Sequence, residues 1–185
     1  KMDFRKCFVL AFKKSSQPDA LLNPEPIHRL DHPTSGILLI GKTANSVIQL
    51  NKLFENKNIQ KTYFAVTIGK MVSEGQIDTP IDDKVSSTKY KVLATEASEK
   101  FDFLNLVALY PKTGRKHQIR KHLASLGTPI LGDSIYCEEN KLLKGNGLYL
   151  HAASLEFFHP FTQENVLFKA MITKKFQRLF PSFRF

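Results

Sequence analysis

Residues 103–127 read FLNLVALYPKTGRKHQIRKHLASLG, and the hydrophobic period changes within them. Phe103 to Tyr110 is mostly aliphatic and aromatic, the composition of a buried strand. Pro111-Lys112-Thr113-Gly114 is turn chemistry, because proline presets φ and glycine tolerates positive φ. From Gln118 onward Ile119, Leu123 and Leu126 recur at i, i+4 and i+7, one face of a helix. Gly127 then stands where a left-handed terminator belongs. The expected unit is strand, turn and helix, with basic residues gathered where the turn meets the helix.

Similar signals extend to either side. Ile37-Leu38-Leu39-Ile40 reads as a short buried strand ended by Gly41, and Thr43 as the N-cap of a helix carrying Val47, Leu50, Leu53 and Phe54. Tyr63 to Ile68 is aromatic and β-branched, a strand stopped by Gly69. Residues 88–96, 148–158 and 165–172 are further strands, and the basic, Phe-rich C-terminal stretch is a short helix. Irregular alternation of strands and helices predicts an α+β fold: one domain with a mixed, mostly antiparallel sheet flanked by helices and loops. Pro18, Pro24 and Pro26 make residues 16–28 a loop. The expected division is 1–27, with a strand at Phe8–Phe12 and the proline-rich loop, and 28–185 as the main body. The 16–28 and 73–88 segments are expected to order on binding a partner.

The chain is 42% hydrophobic and 24% charged, which argues against wholesale disorder. Its 27 Lys and Arg against 17 Asp and Glu give a formal net charge of +10. That surplus attracts polyanions, nucleic acid first among them, although an uninvolved basic surface has the same composition. Cys7 and Cys137 lie far apart without zinc spacing and read as reduced thiols in a cytoplasmic protein. No apolar run reaches the roughly 18 residues that cross a bilayer, and residues 1–6 lack a signal core. His117 and His122 have no companion ligands, so no metal site is expected.

Three clusters hold chemistry. His28-Arg29-Leu30-Asp31-His32-Pro33-Thr34-Ser35-Gly36 gathers an acid, a guanidinium, two imidazoles and two hydroxyls where a loop meets a strand; a turn capped by Asp31 and Thr34 is the structural reading of the same residues. Gly114-Arg115-Lys116-His117-Gln118-Ile119-Arg120-Lys121-His122 straddles a helix start, where free N–H groups favour anions; a solvated basic face is the alternative. Lys61-Thr62-Tyr63 begins a strand, and Tyr63 is either sheet packing or a platform for a base.

Taken in order, these clusters resemble the motifs of the pseudouridine synthases of the RluA type, in the RluA/RsuA superfamily. His28-Arg29-Leu30-Asp31 with Thr34-Ser35-Gly36 resembles the active-site signature, Lys61-Thr62-Tyr63 the second motif, and Gly114 to Ala124 the third. Gly127-Thr128-Pro129-Ile130-Leu131-Gly132-Asp133 and Tyr136 continue the third motif. Leu150-His151-Ala152, Leu155 and His159-Pro160 are similar to the last, so the resemblance spans residues 28–172. The family usually opens with a Lys-Pro-x-Gly turn. Phe12-Lys13-Lys14 and the proline-rich loop stand there instead, and no S4-type RNA-binding domain is seen.

The resemblance implies an isomerase that converts uridine in ribosomal or transfer RNA to pseudouridine without a cofactor, as a monomer. It makes Asp31 the essential carboxylate and pairs it with Arg120. Tyr63 would stack on the uracil, Ile119 and Leu150 would pack against it, and Arg29, Arg115 and His117 would contact the substrate. Lys112, Lys116 and Lys121 would meet backbone phosphates. Two other readings of the residues remain open: a catalytically silent basic RNA-binding module, and a hydrolytic enzyme built on Asp31 beside His28 and His32, with Asp82-Asp83 as the candidate second acidic cluster.

Overall fold

In the computed structural model, which describes residues 13–139, 145 and 147–184, Thr43 caps the first helix as its context predicts. Its hydroxyl accepts the Ser46 N–H at 3.1 Å, and Ser46 Oγ accepts the Thr43 N–H at 3.0 Å. Two of the N–H groups left over at a helix start are satisfied by this reciprocal pair. Helix α1 (Ala44–Glu55) buries Leu50. The strand expected at Phe8–Phe12 lies outside the described residues.

The described chain divides into two compact units. The first comprises the residues up to Leu30, Leu38–Ile59 and Phe157–Val166. In it β1 (Ala20–Pro26) pairs antiparallel with β3 (Ile40–Thr43). Residues 16–28 are therefore not simply a loop. Proline is tolerated in β1 because the pair is an isolated two-stranded ribbon and its register shifts between Ala20 and Glu25.

The second unit comprises Asp31–Ile37, Gln60–Glu156 and the residues from Leu167 on. Its sheet has the order β2 (Ser35–Gly36), β8 (Leu150–Phe158), β4 (Gln60–Ile68), β7 (Asp102–Pro111), β6 (Thr88–Ser98) and β5 (Glu74–Ile77), with β9 (Asn165–Lys169) also pairing β8. The β2–β8 pair is parallel and the pairs among β4, β5, β6, β7 and β8 are antiparallel, so the sheet is mixed and mostly antiparallel. The 73–88 segment contains β5.

The apolar run Ile37–Ile40 does not form one strand. Gly36, at φ +115°, lies so close to Ala152 that a Cβ would run into that residue's backbone. The Ile37 N–H reaches the Ala152 carbonyl at 3.0 Å, whereas the Leu39 carbonyl accepts the Ile27 N–H at 2.9 Å. Backbone groups two residues apart thus serve different ladders, and no single strand can hold both.

Behind the sheet, helix α2 (Gln118–Ser125) contributes Ile119 and Leu123 to a core with Val66, Ile68, Leu106, Leu109, Ile130 and Leu148, and helix α3 (Lys174–Leu179) adds Phe176. Leu123 is fully buried, which is worth about 1.5–3 kcal/mol relative to an exposed leucine. Leu126, expected in the same stripe, is 44% exposed, because the helix stops at Ser125 and Gly127 turns the chain at φ +73°. No helix among the described residues is long and apolar enough to cross a membrane.

Candidate active site

Three segments of the second unit bring the site residues together. Asp31 opens a turn in which its carbonyl accepts the Thr34 N–H at 2.6 Å. Ser35 follows, its Oγ 2.8 Å from Nδ1 of buried His151 on β8, so the turn is anchored at one end by a side chain and by the parallel β2–β8 pairing. Tyr63 lies on β4, between β7 and β8, opposite Leu109 and Ala152. The register against β8 shifts between Thr62 and Tyr63, and such bulges re-aim a side chain relative to a regular pleat.

The third segment begins at the turn before α2, and the Gln118 side chain staples it. Its Oε1 accepts the Arg115 N–H at 3.0 Å and the Thr113 hydroxyl at 2.7 Å, while its Nε2 donates to the Ser87 carbonyl at 2.9 Å. Lys61 Nζ donates to the Thr113 carbonyl at 3.3 Å, and burial holds its amine below the usual lysine value. His117 caps the helix in the left-handed region at φ 55° and ψ 26°. Its Nε2 lies 3.9 Å from Asp31 Oδ1, with 17% of each side chain exposed, so a substrate can still reach both. Burial is the largest influence on His117 and lowers its pKa. Asp31 pulls the other way, and Arg120 and Lys116 lower it further.

Arg120 corrects the expectation made for it. It does not pair with Asp31. Its Nε and Nη2 donate to Asp133 Oδ2 and Oδ1, both at 2.7 Å, in a buried two-bond pair. Asp133 is reachable because Leu131 and Ile68 bond across to β4 residue Val66 and to Pro129, and because Gly132, at φ +78°, lets the chain turn beside Gly147. Burial alone would push the Asp133 carboxyl up. Arg120 and the N–H groups of Ile135 and Tyr136 outweigh it and hold the carboxyl below its usual range. Arg120, raised chiefly by its bond to Asp133, also feels the Asp31 charge. The guanidinium therefore acts on Asp31 through its field while its hydrogen bonds go to Asp133. Its other face rests on the Tyr136 ring, 5.0 Å from the centroid, and Tyr136 Oη lies 2.9 Å from His117 Nδ1.

Burial and the Asp31 charge push the Tyr63 phenol up to about 12. It therefore keeps its proton at neutral pH and can donate a hydrogen bond. Ile119 and Leu150, expected against a base, are only 7% and 3% exposed and belong to the core. Arg115 is exposed, with Nε donating to the Val85 carbonyl at 3.2 Å. Arg29 is exposed in the first unit. Lys112 and Lys116 are exposed, and Lys121 is tied to Asp82 at 2.7 Å. His28 is committed to structure: Nε2 accepts the Leu39 N–H at 3.0 Å, and the ring stacks on Phe54. The sequence assigns no role to Asp133 or Tyr136, although both sit in the stretch that carries the resemblance.

A family model described as RNA pseudouridylate synthase matches residues 5–125. The tRNA pseudouridine synthase C of Vibrio vulnificus is 37% identical over 186 residues, covering 85% of this chain and 76% of that protein. The dual-specificity RNA pseudouridine synthase RluA of Vibrio parahaemolyticus is 35% identical over 150 residues, covering 72% of this chain and 60% of that one. Among solved structures, human RNA pseudouridylate synthase domain containing 1 superposes with a TM-score of 0.72 at 26% identity, covering 81% of this chain and 69% of the other. The chain belongs to the RNA pseudouridylate synthase family and is an isomerase that converts uridine in RNA to pseudouridine.

Proposed function

We propose that this chain isomerises specific uridines of transfer or ribosomal RNA, with Asp31 as the essential carboxylate. The observation that carries this reading is the setting of Asp31. It is partly exposed, faces His117 at 3.9 Å, and acts electrostatically on both Tyr63 and Arg120. The names of the relatives, one a tRNA enzyme and one of dual specificity, support the choice of RNA.

In the reaction the N1–C1′ bond breaks, the base turns, and a C5–C1′ bond forms. The C5 proton leaves and N1 gains one, so there is no net redox change. Ionised Asp31 serves either by attacking or by taking a ribose proton. The Arg120 guanidinium leaves the Asp31 oxygens free for the substrate, because its own donors are bound to Asp133. Tyr63, protonated, stacks on the uracil and donates rather than accepts a proton. A uridine in a stem must leave its stack first. Arg29, Arg115, Lys112 and Lys116 meet phosphates, so binding weakens steeply with salt.

The test is tritium release from 5-tritiated uridine in tRNA and ribosomal RNA. Wild type releases tritium, and Asp31→Asn lowers the rate on the order of 10⁴-fold or more while RNA binding survives. Release at an undiminished rate by Asp31→Asn removes Asp31 from the mechanism. Binding without any release by wild type makes the chain a silent RNA binder.

A further inference from the structure

Tyr136 joins the two groups that act on Asp31. Its ring lies under the Arg120 guanidinium at 5.0 Å, and its hydroxyl reaches His117 Nδ1 at 2.9 Å, with the two rings nearly perpendicular at 83°. Its backbone is held by the carboxylate that holds Arg120: Asp133 Oδ1 accepts the N–H of Ile135 at 2.9 Å and of Tyr136 at 3.1 Å. His117 is held as firmly from its own side. It occupies the left-handed region, which side chains other than glycine seldom adopt, and its carbonyl accepts the Lys121 N–H at 2.9 Å. A histidine placed with this much constraint, yet with its other nitrogen turned toward Asp31, has a task that depends on which nitrogen bears the proton.

We infer that Tyr136 is a positioning residue for the isomerisation, donating its hydroxyl proton to His117 Nδ1 and thereby keeping the imidazole neutral with its N–H on Nε2, toward Asp31. The inference rests on the reading of Asp31 as the essential carboxylate. A neutral imidazole has one N–H and one lone pair. Asp31 offers only acceptors, so the reverse tautomer would set the Nε2 lone pair against a negative charge. The tautomer that suits Asp31 leaves a lone pair on Nδ1, and the phenol is the group within reach to fill it. The charged groups around the ring are Asp31 from the catalytic turn, Lys116 and Arg120 from the turn and helix α2, and Asp133 from the segment carrying Tyr136. Burial and the two cations favour the neutral ring, and the two carboxylates oppose them. Donation from Tyr136 adds to the neutral side.

Its function is to keep Asp31 available. A neutral Nε2–H steers the carboxylate by a weak contact. An imidazolium would clamp it in an ion pair, as full protonation at acid pH does. Tyr136→Phe keeps the ring beneath Arg120 and removes only the hydroxyl, so a purely structural role would leave the titration of His117 where it is.

The experiment reads the ¹⁵N shifts of the His117 ring, assigned by comparison with His117→Gln, in wild type and Tyr136→Phe across pH, alongside kcat and KM for tritium release. In wild type at neutral pH, Nε2 shows the protonated signal and Nδ1 the unprotonated one. In Tyr136→Phe the His117 titration and the acid limb of kcat both move to higher pH, and kcat below neutrality falls about tenfold with KM held within about twofold. A proton on Nδ1 in wild type, which needs no variant to observe, overturns the inference. So does an unmoved His117 titration in Tyr136→Phe. Absence of tritium release from wild type overturns the proposed function instead, and the ring shifts report on Tyr136 independently of it.

Discussion

His117 caps the short helix that carries His122, and burial lowers the pKa of both. Their surroundings differ in one respect. His122 is buried and saturated: Ser86 Oγ lies 2.9 Å from Nε2, Thr88 Oγ1 lies 2.9 Å from Nδ1, and the Thr79 carbonyl is 3.1 Å from Nε2. His117 has Tyr136 on one nitrogen and, at 3.9 Å on the other, a partly exposed carboxylate. One ring joins the helix to the β5–β6 connection. The other has hydrogen-bonding capacity left for a reaction. On the proposed function, chemistry at this helix belongs where pairing is incomplete, and stability where it is complete.

That contrast is broken most severely at the buried ion pair beside it. Arg120→Ala strands the Asp133 carboxylate and is expected to cost about 3–5 kcal/mol of unfolding free energy in urea titrations. Asp133→Ala costs a similar amount by stranding the guanidinium, and the double variant costs less than the sum of the two. Additive losses would mean that the pair is not a coupled unit.

A smaller effect separates the two histidines directly. His122→Ala leaves Ser86 and Thr88 without a partner and opens a cavity, a loss of about 2–4 kcal/mol. His117→Gln changes stability by no more than about 1 kcal/mol and lowers tritium release roughly 10²-fold. Equal losses of stability in the two variants would erase the distinction drawn between them.

The smallest effect is read in pH. His122 and His151 are both held below the ordinary histidine value: His122 chiefly by burial, with Thr79 and Asp78 opposing it, and His151 by burial and then Lys175. For each, the unfolded chain binds the proton more readily than the folded one. Their contribution is complete above the unfolded value of about 6.5 and is lost as pH falls below it. Asp133, lowered in the folded state, contributes above the unfolded carboxylate value of about 3.9 and loses its share below that. Thermal unfolding should therefore show Tm declining in two separate windows. His122→Ala, less stable throughout, should lose less than wild type across the upper one. A wild-type Tm that stays level from pH 7 to 5 would count against buried neutral histidines.

Much of the fold is local in origin and legible for that reason. The strand at Tyr63–Ile68, the N-cap at Thr43 and the left-handed stop at Gly127 each follow from a few neighbouring residues and their backbone preferences, and all three stand in the structure. The α+β class with its mixed sheet follows from the same signals, whereas the roles proposed for Asp31, Tyr63, His117 and Arg120 come from the family resemblance. Where local preference meets a long-range demand, the structure departs from it. The prolines of β1 predict a loop, because nothing nearby announces a two-stranded pairing with β3. Ile37–Ile40 reads as one strand, because an apolar run does not disclose that its hydrogen bonds divide between two ladders.

The sequence by itself determined which side chains the proposed reaction draws on, since their chemistry and order are written in the chain. Only the tertiary structure decided how they pair. Arg120 carries no mark distinguishing Asp31 from Asp133 as its partner. The choice is made by Gly132, by the bonds of Pro129 and Leu131 to β4, and by burial that leaves one carboxylate inside the core's edge and the other open to a ligand. A guanidinium binds the acceptor that the backbone brings within about 2.7–2.9 Å, and that distance is a property of the fold.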